Sequence, residues 1–152
     1  MQQSLTLNAF KPTQNVSYLV SDFVSKYDKL AKGGAGVTAR KVPGKDIYIY
    51  DGAVTLQETS VRDNSTVIVK NGNLKLEGTI AKNVLYLVPD GTITLGGDAN
   101  CNDMTDDPAP QIVQGILVAG KGFDSDYYLN TDKNKTRCAN GNLRIRGTLI
   151  GE

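Results

Sequence analysis

Apolar positions along the chain follow two different periods. Between Val16 and Leu30 they recur every three or four residues (Val16, Leu19, Val20, Phe23, Val24, Tyr27, Leu30), with Ser21, Asp22, Lys26 and Lys29 between them. That spacing gathers an apolar stripe on one side of a helix. It predicts an amphipathic helix over 16–31, with Asn15 as N-cap and Gly33 as its stop. An extended reading of SYLV and DFV stays open, because Val and Tyr have only middling helix propensity. After the GGAG break the period drops to two, with Ile47 and Ile49 alternating against Tyr48 and Tyr50 as in a strand.

From residue 51 onward the chain resembles itself. DGAVTL (51–56), NGNLKL (71–76), DGTITL (90–95) and NGNLRI (140–145) share one plan: Asn or Asp, Gly, any residue, aliphatic, polar, aliphatic. Their starts are 20, 19 and 50 positions apart. Asn-Gly and Asp-Gly turn the chain sharply, and the triplet that follows is a short strand with one buried side. The expected core is therefore Val54, Leu56, Leu74, Leu76, Ile93, Leu95, Leu143 and Ile145, with Leu74, Ile93 and Leu143 in corresponding rows. Lys75, Thr94 and Arg144 point outward. The runs TVIVK, VLYLVP and GILVAG are almost continuously apolar, which suits strands covered on both faces.

A unit of about 20 residues cannot bury its own apolar side, but stacked copies can. The fold expected is all-β: a single parallel β-helix, or β-solenoid, over 51–152. Residues 1–50 would form an N-terminal helical or extended segment capping or packing on it. Polar, Gly- and Asp-rich insertions fall near 97–111 and 121–139. A β-sandwich is the alternative, since VIVKNGNLKL on its own also reads as a hairpin.

Composition narrows the function. The chain has 152 residues, enough for one domain with a core of its own. Seventeen Lys and Arg against sixteen Asp and Glu give a net charge of +1, so nothing recommends nucleic acid as a partner. The absence of His removes Ser-His-Asp and Cys-His catalysis and histidine metal sites. No long apolar run calls for membrane insertion. The first residues lack a secretory signal pattern, which read literally means cytoplasm. A fragment or mature form would be compatible with export.

The succession TVIVKNGNLKLEGTI, VLYLVPDGTITLGG, IVQGILVAG, GNLRIRGTLIG resembles right-handed parallel β-helix surface or envelope proteins, predicted exported proteins of small-genome bacteria. More distantly it is similar to the bactofilins, polymer-forming solenoids of the bacterial cytoskeleton. The resemblance covers roughly residues 60–151. It implies an extracellular or cell-surface structural module, not an enzyme, whose partners are other protein subunits or surface components, with homo-assembly through the solenoid ends.

Candidate chemistry is sparse. Cys101 and Cys138 lie in the two insertions, where a disulfide would tie the excursions together and place the chain in an oxidising setting. Asp98, Asp103, Asp106 and Asp107 are weak calcium candidates, because hard cations take oxygen ligands but the calcium-loop Gly and Glu are missing. Asp124, Asp126 and Asp132 would join them only if the loops pack together. Without that ion no cofactor is expected. Lys75, Arg144 and Arg146 would line a groove in a β-helix carbohydrate-active enzyme, and Tyr48, Tyr50, Tyr127 and Tyr128 would serve a glycan-binding adhesin. Outward charges on a stack more commonly keep it soluble and block edge association.

Overall fold

The computed structural model describes residues 16–33, 38–96, 111–125 and 143–151. These residues are mostly β-structure with a single helix, α1 (Val16–Asp28). The strands are β1 (Arg40–Lys41), β2 (Ile47–Asp51), β3 (Val54–Leu56), β4 (Ser65–Lys70), β5 (Leu74–Glu77), β6 (Ile80–Val88), β7 (Ile93–Gly96), β8 (Gln111–Ala119), β9 (Phe123–Ser125) and β10 (Leu143–Gly151), with a 3-10 turn at Glu58–Ser60. From β2 to β9 the chain alternates between two sheets, one ordered β1-β2-β4-β6-β8-β10 and the other β3-β5-β7-β9. Every ladder is parallel except β1 on β2, which is antiparallel.

The registers reproduce the sequence period. Ile47 pairs with Thr66 and Ser65 with Val84, 19 positions apart; Val54 pairs with Leu74 at 20 and Leu74 with Ile93 at 19. Later partners are more widely separated: Val84 with Gly115, Ile93 with Phe123, and Gln111 with Leu143. Residues 97–110 and 126–142 lie inside these wider intervals. VIVK and NGNLKL belong to different sheets and do not pair as a hairpin, because the Asn71-Gly72 corner passes the chain across to the other sheet.

One expectation is corrected. The fourth sequence copy does not continue the row of Leu74 and Ile93. Leu143 and Ile145 begin β10, in the six-stranded sheet, where Ile145 stands beside Val113, and Val113 beside Ile80. The likeness of NGNLKLEGTI to NGNLRIRGTL is thus a likeness of composition. In the first copy Gly78 and Thr79 separate two strands of different sheets, whereas Gly147 and Thr148 lie within one nine-residue strand.

The main core lies between the sheets. Leu56, Leu74, Leu76, Ile93 and Leu95 from one sheet meet Tyr50, Val67, Val69, Tyr86, Val88 and Leu117 from the other, with Val54 and Ile145 partly buried at its margin. Alternation then places Ile49, Ile68, Leu87 and Val118 on the outer face of the six-stranded sheet, where α1 covers them with Val20, Phe23, Val24 and Tyr27. This second layer explains the continuously apolar strands, which are buried from both sides except at Ile116 of β8, left exposed.

The helix ends three residues short of its expected limit. The amides of Leu30 and Ala31 both donate to the Tyr27 carbonyl, and Lys32 then bridges Lys41 antiparallel. Leu30, assigned to the apolar stripe, is left 49 % exposed, and Ala31 packs inward in its place. Asp28 anchors this end: its carboxylate accepts from Lys70 of β4 at 2.7 Å and from Arg40 of β1.

Candidate functional site

Among the described residues, polar side chains at and near the corners are joined by hydrogen bonds. Asn71 Nδ2 donates to Asp51 Oδ1 at 2.9 Å, joining two Asn/Asp-Gly corners 20 positions apart. Asn73 Oδ1 accepts from the Thr92 amide at 2.9 Å, and Asp63 Oδ1 accepts from the Asn83 amide at 2.7 Å. Asn83 Oδ1 in turn accepts from Gln114 Nε2, and Gln57 Nε2 donates to Glu77 Oε2 at 2.7 Å. Lys82 Nζ donates to the carbonyls of Glu58 and Val61, finishing the 3-10 turn. Each bond ties one pass of the chain to the next, and those of Asp63, Asn73 and Lys82 also satisfy backbone groups that the strand ladders leave over.

Glycine is required where two of these corners meet. A Cβ on Gly91 would stand 2.1 Å from the Gly72 carbonyl oxygen, and one on Gly72 would stand 2.3 Å from the Ala53 nitrogen. Backbone lies against backbone there, so the repeated Gly of the sequence motif serves close approach as well as turning.

Two shallow cavities are lined by described residues. One, of about 180 Å³, opens beside the first strands and is lined by Tyr48, Tyr50, Ser60, Val61, Arg62 and Val67. Burial raises the Tyr50 phenol above its ordinary value, with Tyr48 adding to the effect, and Arg62 lies 3.4 Å from Asp46. The other, of about 200 Å³, lies on the outer side of the four-stranded sheet against Thr55, Asn73, Lys75 and Thr94. Thr55, Lys75, Thr94 and Asp124 form one cross-strand row there.

The groove sketched from Lys75, Arg144 and Arg146 is not assembled. Lys75 belongs to the four-stranded sheet, whereas Arg144 and Arg146 belong to the six-stranded one. Cys101, Cys138, Asp98, Asp103, Asp106, Asp107, Asp126, Asp132, Tyr127 and Tyr128 lie outside the described residues. Among the described residues no group of three or more Cys, Asp or Glu side chains is placed to hold a metal ion, and no helix is long and apolar enough to cross a membrane.

Sequence reasoning missed two features. Tyr86 is fully buried in the middle of the core, and its hydroxyl finds no hydrogen-bond partner among the described residues. Its place inside VLYLVP signalled burial of the ring but not the isolation of the oxygen. The Asp28–Lys70–Arg40 cluster joins residues far apart in the chain, and only the docking of α1 brings them together.

Comparison with protein-family models, with curated proteins and with solved structures finds no match.

Proposed function

We propose that the chain is a β-solenoid that works as a structural module, a rigid spacer and assembly unit of a bacterial cell-surface or extracellular protein. The observation that carries this reading is the constant offset of 19 or 20 positions through the early ladders of both sheets. Successive passes of chain then repeat one cross-section, and length along the stack is gained by adding passes. The corner side chains support the same reading, because their donors and acceptors are spent joining neighbouring passes.

The surface setting rests on the sequence resemblance and on the Cys101–Cys138 pairing. Mass measurement after alkylation, with and without reductant, tests that pairing. An intact bond supports export, and two alkylated thiols without reductant remove it.

The architecture is tested by excising one pass, residues 71–89, which joins Lys70 to Asp90 and replaces one Asn/Asp-Gly corner by the next. A stack tolerates the loss, so the shortened chain keeps its β-type circular dichroism and a cooperative urea transition. Removing only 71–80 deletes β5 and runs β4 straight into the rest of β6, two strands that must lie side by side in one sheet, and abolishes both. Equal collapse of the two deletions would refute the solenoid.

A further inference from the structure

Three of the four large apolar side chains exposed among the described residues, Ile116, Leu149 and Ile150, sit together at the β8–β10 end of the six-stranded sheet. Leu149 belongs to the inward row of Val67, Tyr86 and Leu117, yet it is 42 % exposed. Ile150 continues the outward row of Ile68, Leu87 and Val118 and is 37 % exposed. A patch made of both a core row and an outer row is the cut face of a sheet, and such patches mark interaction sites.

The other end of the same sheet is treated differently. There β1 pairs antiparallel with β2, Lys32 and Lys41 exchange backbone hydrogen bonds, and the Val42 amide donates to the Ile47 carbonyl. The β2 edge is thus occupied, and a second molecule stacking head to tail would have to displace β1.

We propose that β10 is a two-fold self-association edge whose partner is β10 of a second copy of this chain. This rests on the assembly reading above and names its contact. Gly147 is the midpoint of Leu143–Gly151. Antiparallel pairing centred on it uses the whole strand and sets Ile145 opposite Leu149 of the partner subunit, so that the inward rows meet. Arg146 falls opposite Thr148 of the partner subunit and Arg144 opposite Ile150 of the partner subunit. The arginine stems cover apolar surface while the guanidinium groups stay in water. Centring on Ile145 would set Arg144 against Arg146 of the partner subunit, a like-charge pair across strands, so the two arginines select the register.

Sedimentation of the full chain over a range of concentrations tests this, with Ile150→Lys and Ile150→Glu beside the wild type and circular dichroism to confirm that both variants fold. The wild type reaches a dimer and goes no further. Ile150→Lys faces Arg144 of the partner subunit and weakens the dimer by about tenfold or more, whereas Ile150→Glu meets an opposite charge and stays within about threefold of wild type. A wild type that remains monomeric, one that grows beyond a dimer, or equal weakening by the two substitutions would each overturn the proposal. The excision of residues 71–89 separates the two readings. If the shortened chain folds while the wild type stays monomeric, only the dimer fails; if it unfolds while the wild type dimerises, only the solenoid fails.

Discussion

Replacing Tyr86 by Phe removes one atom from the centre of the protein. The ring stands between Val67 and Leu117 in the inward row and is fully buried, and its oxygen has no partner among the described residues. Burying a hydroxyl without a hydrogen bond costs about 1–3 kcal/mol. The void left by the oxygen, on the order of 10 Å³, returns only about 0.2 kcal/mol of that as lost packing. Tyr86→Phe is therefore expected to stabilise the protein by about 1–2 kcal/mol, which for a chain of this length raises Tm by roughly 2–8 °C.

The same substitution changes the alkaline limb. Burial raises the Tyr86 phenol far above its ordinary value. Above pH ~10 the unfolded chain gives up this proton while the folded chain keeps it, so the wild type loses about 1.4 kcal/mol per pH unit from this residue alone. The contribution is fully present below the unfolded pKa and disappears as pH rises above it. The advantage of Phe should consequently widen between pH 10 and 11. Urea titration at pH 7 and at pH 10.5 reads both effects, with an unchanged m-value showing that the unfolded state is unaltered. A Phe variant less stable than wild type by 1 kcal/mol or more would refute the reasoning, because it would mean that the hydroxyl is hydrogen-bonded.

Two further substitutions probe the corners and the helix. Gly91→Ala drives a methyl group into the Gly72 carbonyl and is expected to cost about 3 kcal/mol or more. Gly44→Ala, at φ +71° with open space around it, should cost only about 1 kcal/mol in the same urea assay, and equal losses would refute the close-approach argument. Asp28→Asn removes a carboxylate held below its usual range chiefly by the Lys70 hydrogen bond, with burial opposing and Arg40 assisting. A depressed carboxylate stabilises the fold above its unfolded pKa, near 4, and loses that contribution as pH falls through the folded value. The variant should be weaker by up to about 1 kcal/mol at pH 7, since the pair is partly exposed, and should show a shallower acid limb. Hydrogen exchange of the α1 amides follows its release, and identical acid limbs would remove Asp28 as the anchor.

Much of the architecture was legible because the turn chemistry and the alternation agree with each other. Asn71-Gly72 and Asp90-Gly91 announced corners, and Leu74, Leu76, Ile93 and Leu95 announced a buried side, and all four are buried. The fourth copy misled for a physical reason. An aliphatic-polar-aliphatic triplet states which side of a strand is buried but not in which sheet, so Leu143 and Ile145 were placed in the wrong row. The continuously apolar strands said that their outer face is covered without saying by what. Helix α1 supplies that cover by placing Val24 in one buried cluster with residues as distant as Leu87 and Val118, which no local pattern encodes. The candidate site was the least legible part. Asp51 and Asn71 read as turn formers, Asn73 and Asn83 carried no signal, and only the register shows all four bonding from one pass to the next.

The placement of α1 has a consequence for how the molecule comes together during synthesis. From β4 onward, every strand is hydrogen-bonded to one that left the ribosome before it, so the sheets can grow in the order of translation. The helix emerges ahead of them all, but its landing ground of Ile47, Ile49, Ile68, Leu87 and Val118 is finished only when β8 arrives, about ninety residues later. The helix, made before every described strand, is therefore among the last elements to be secured, and until then its apolar stripe lacks its cover.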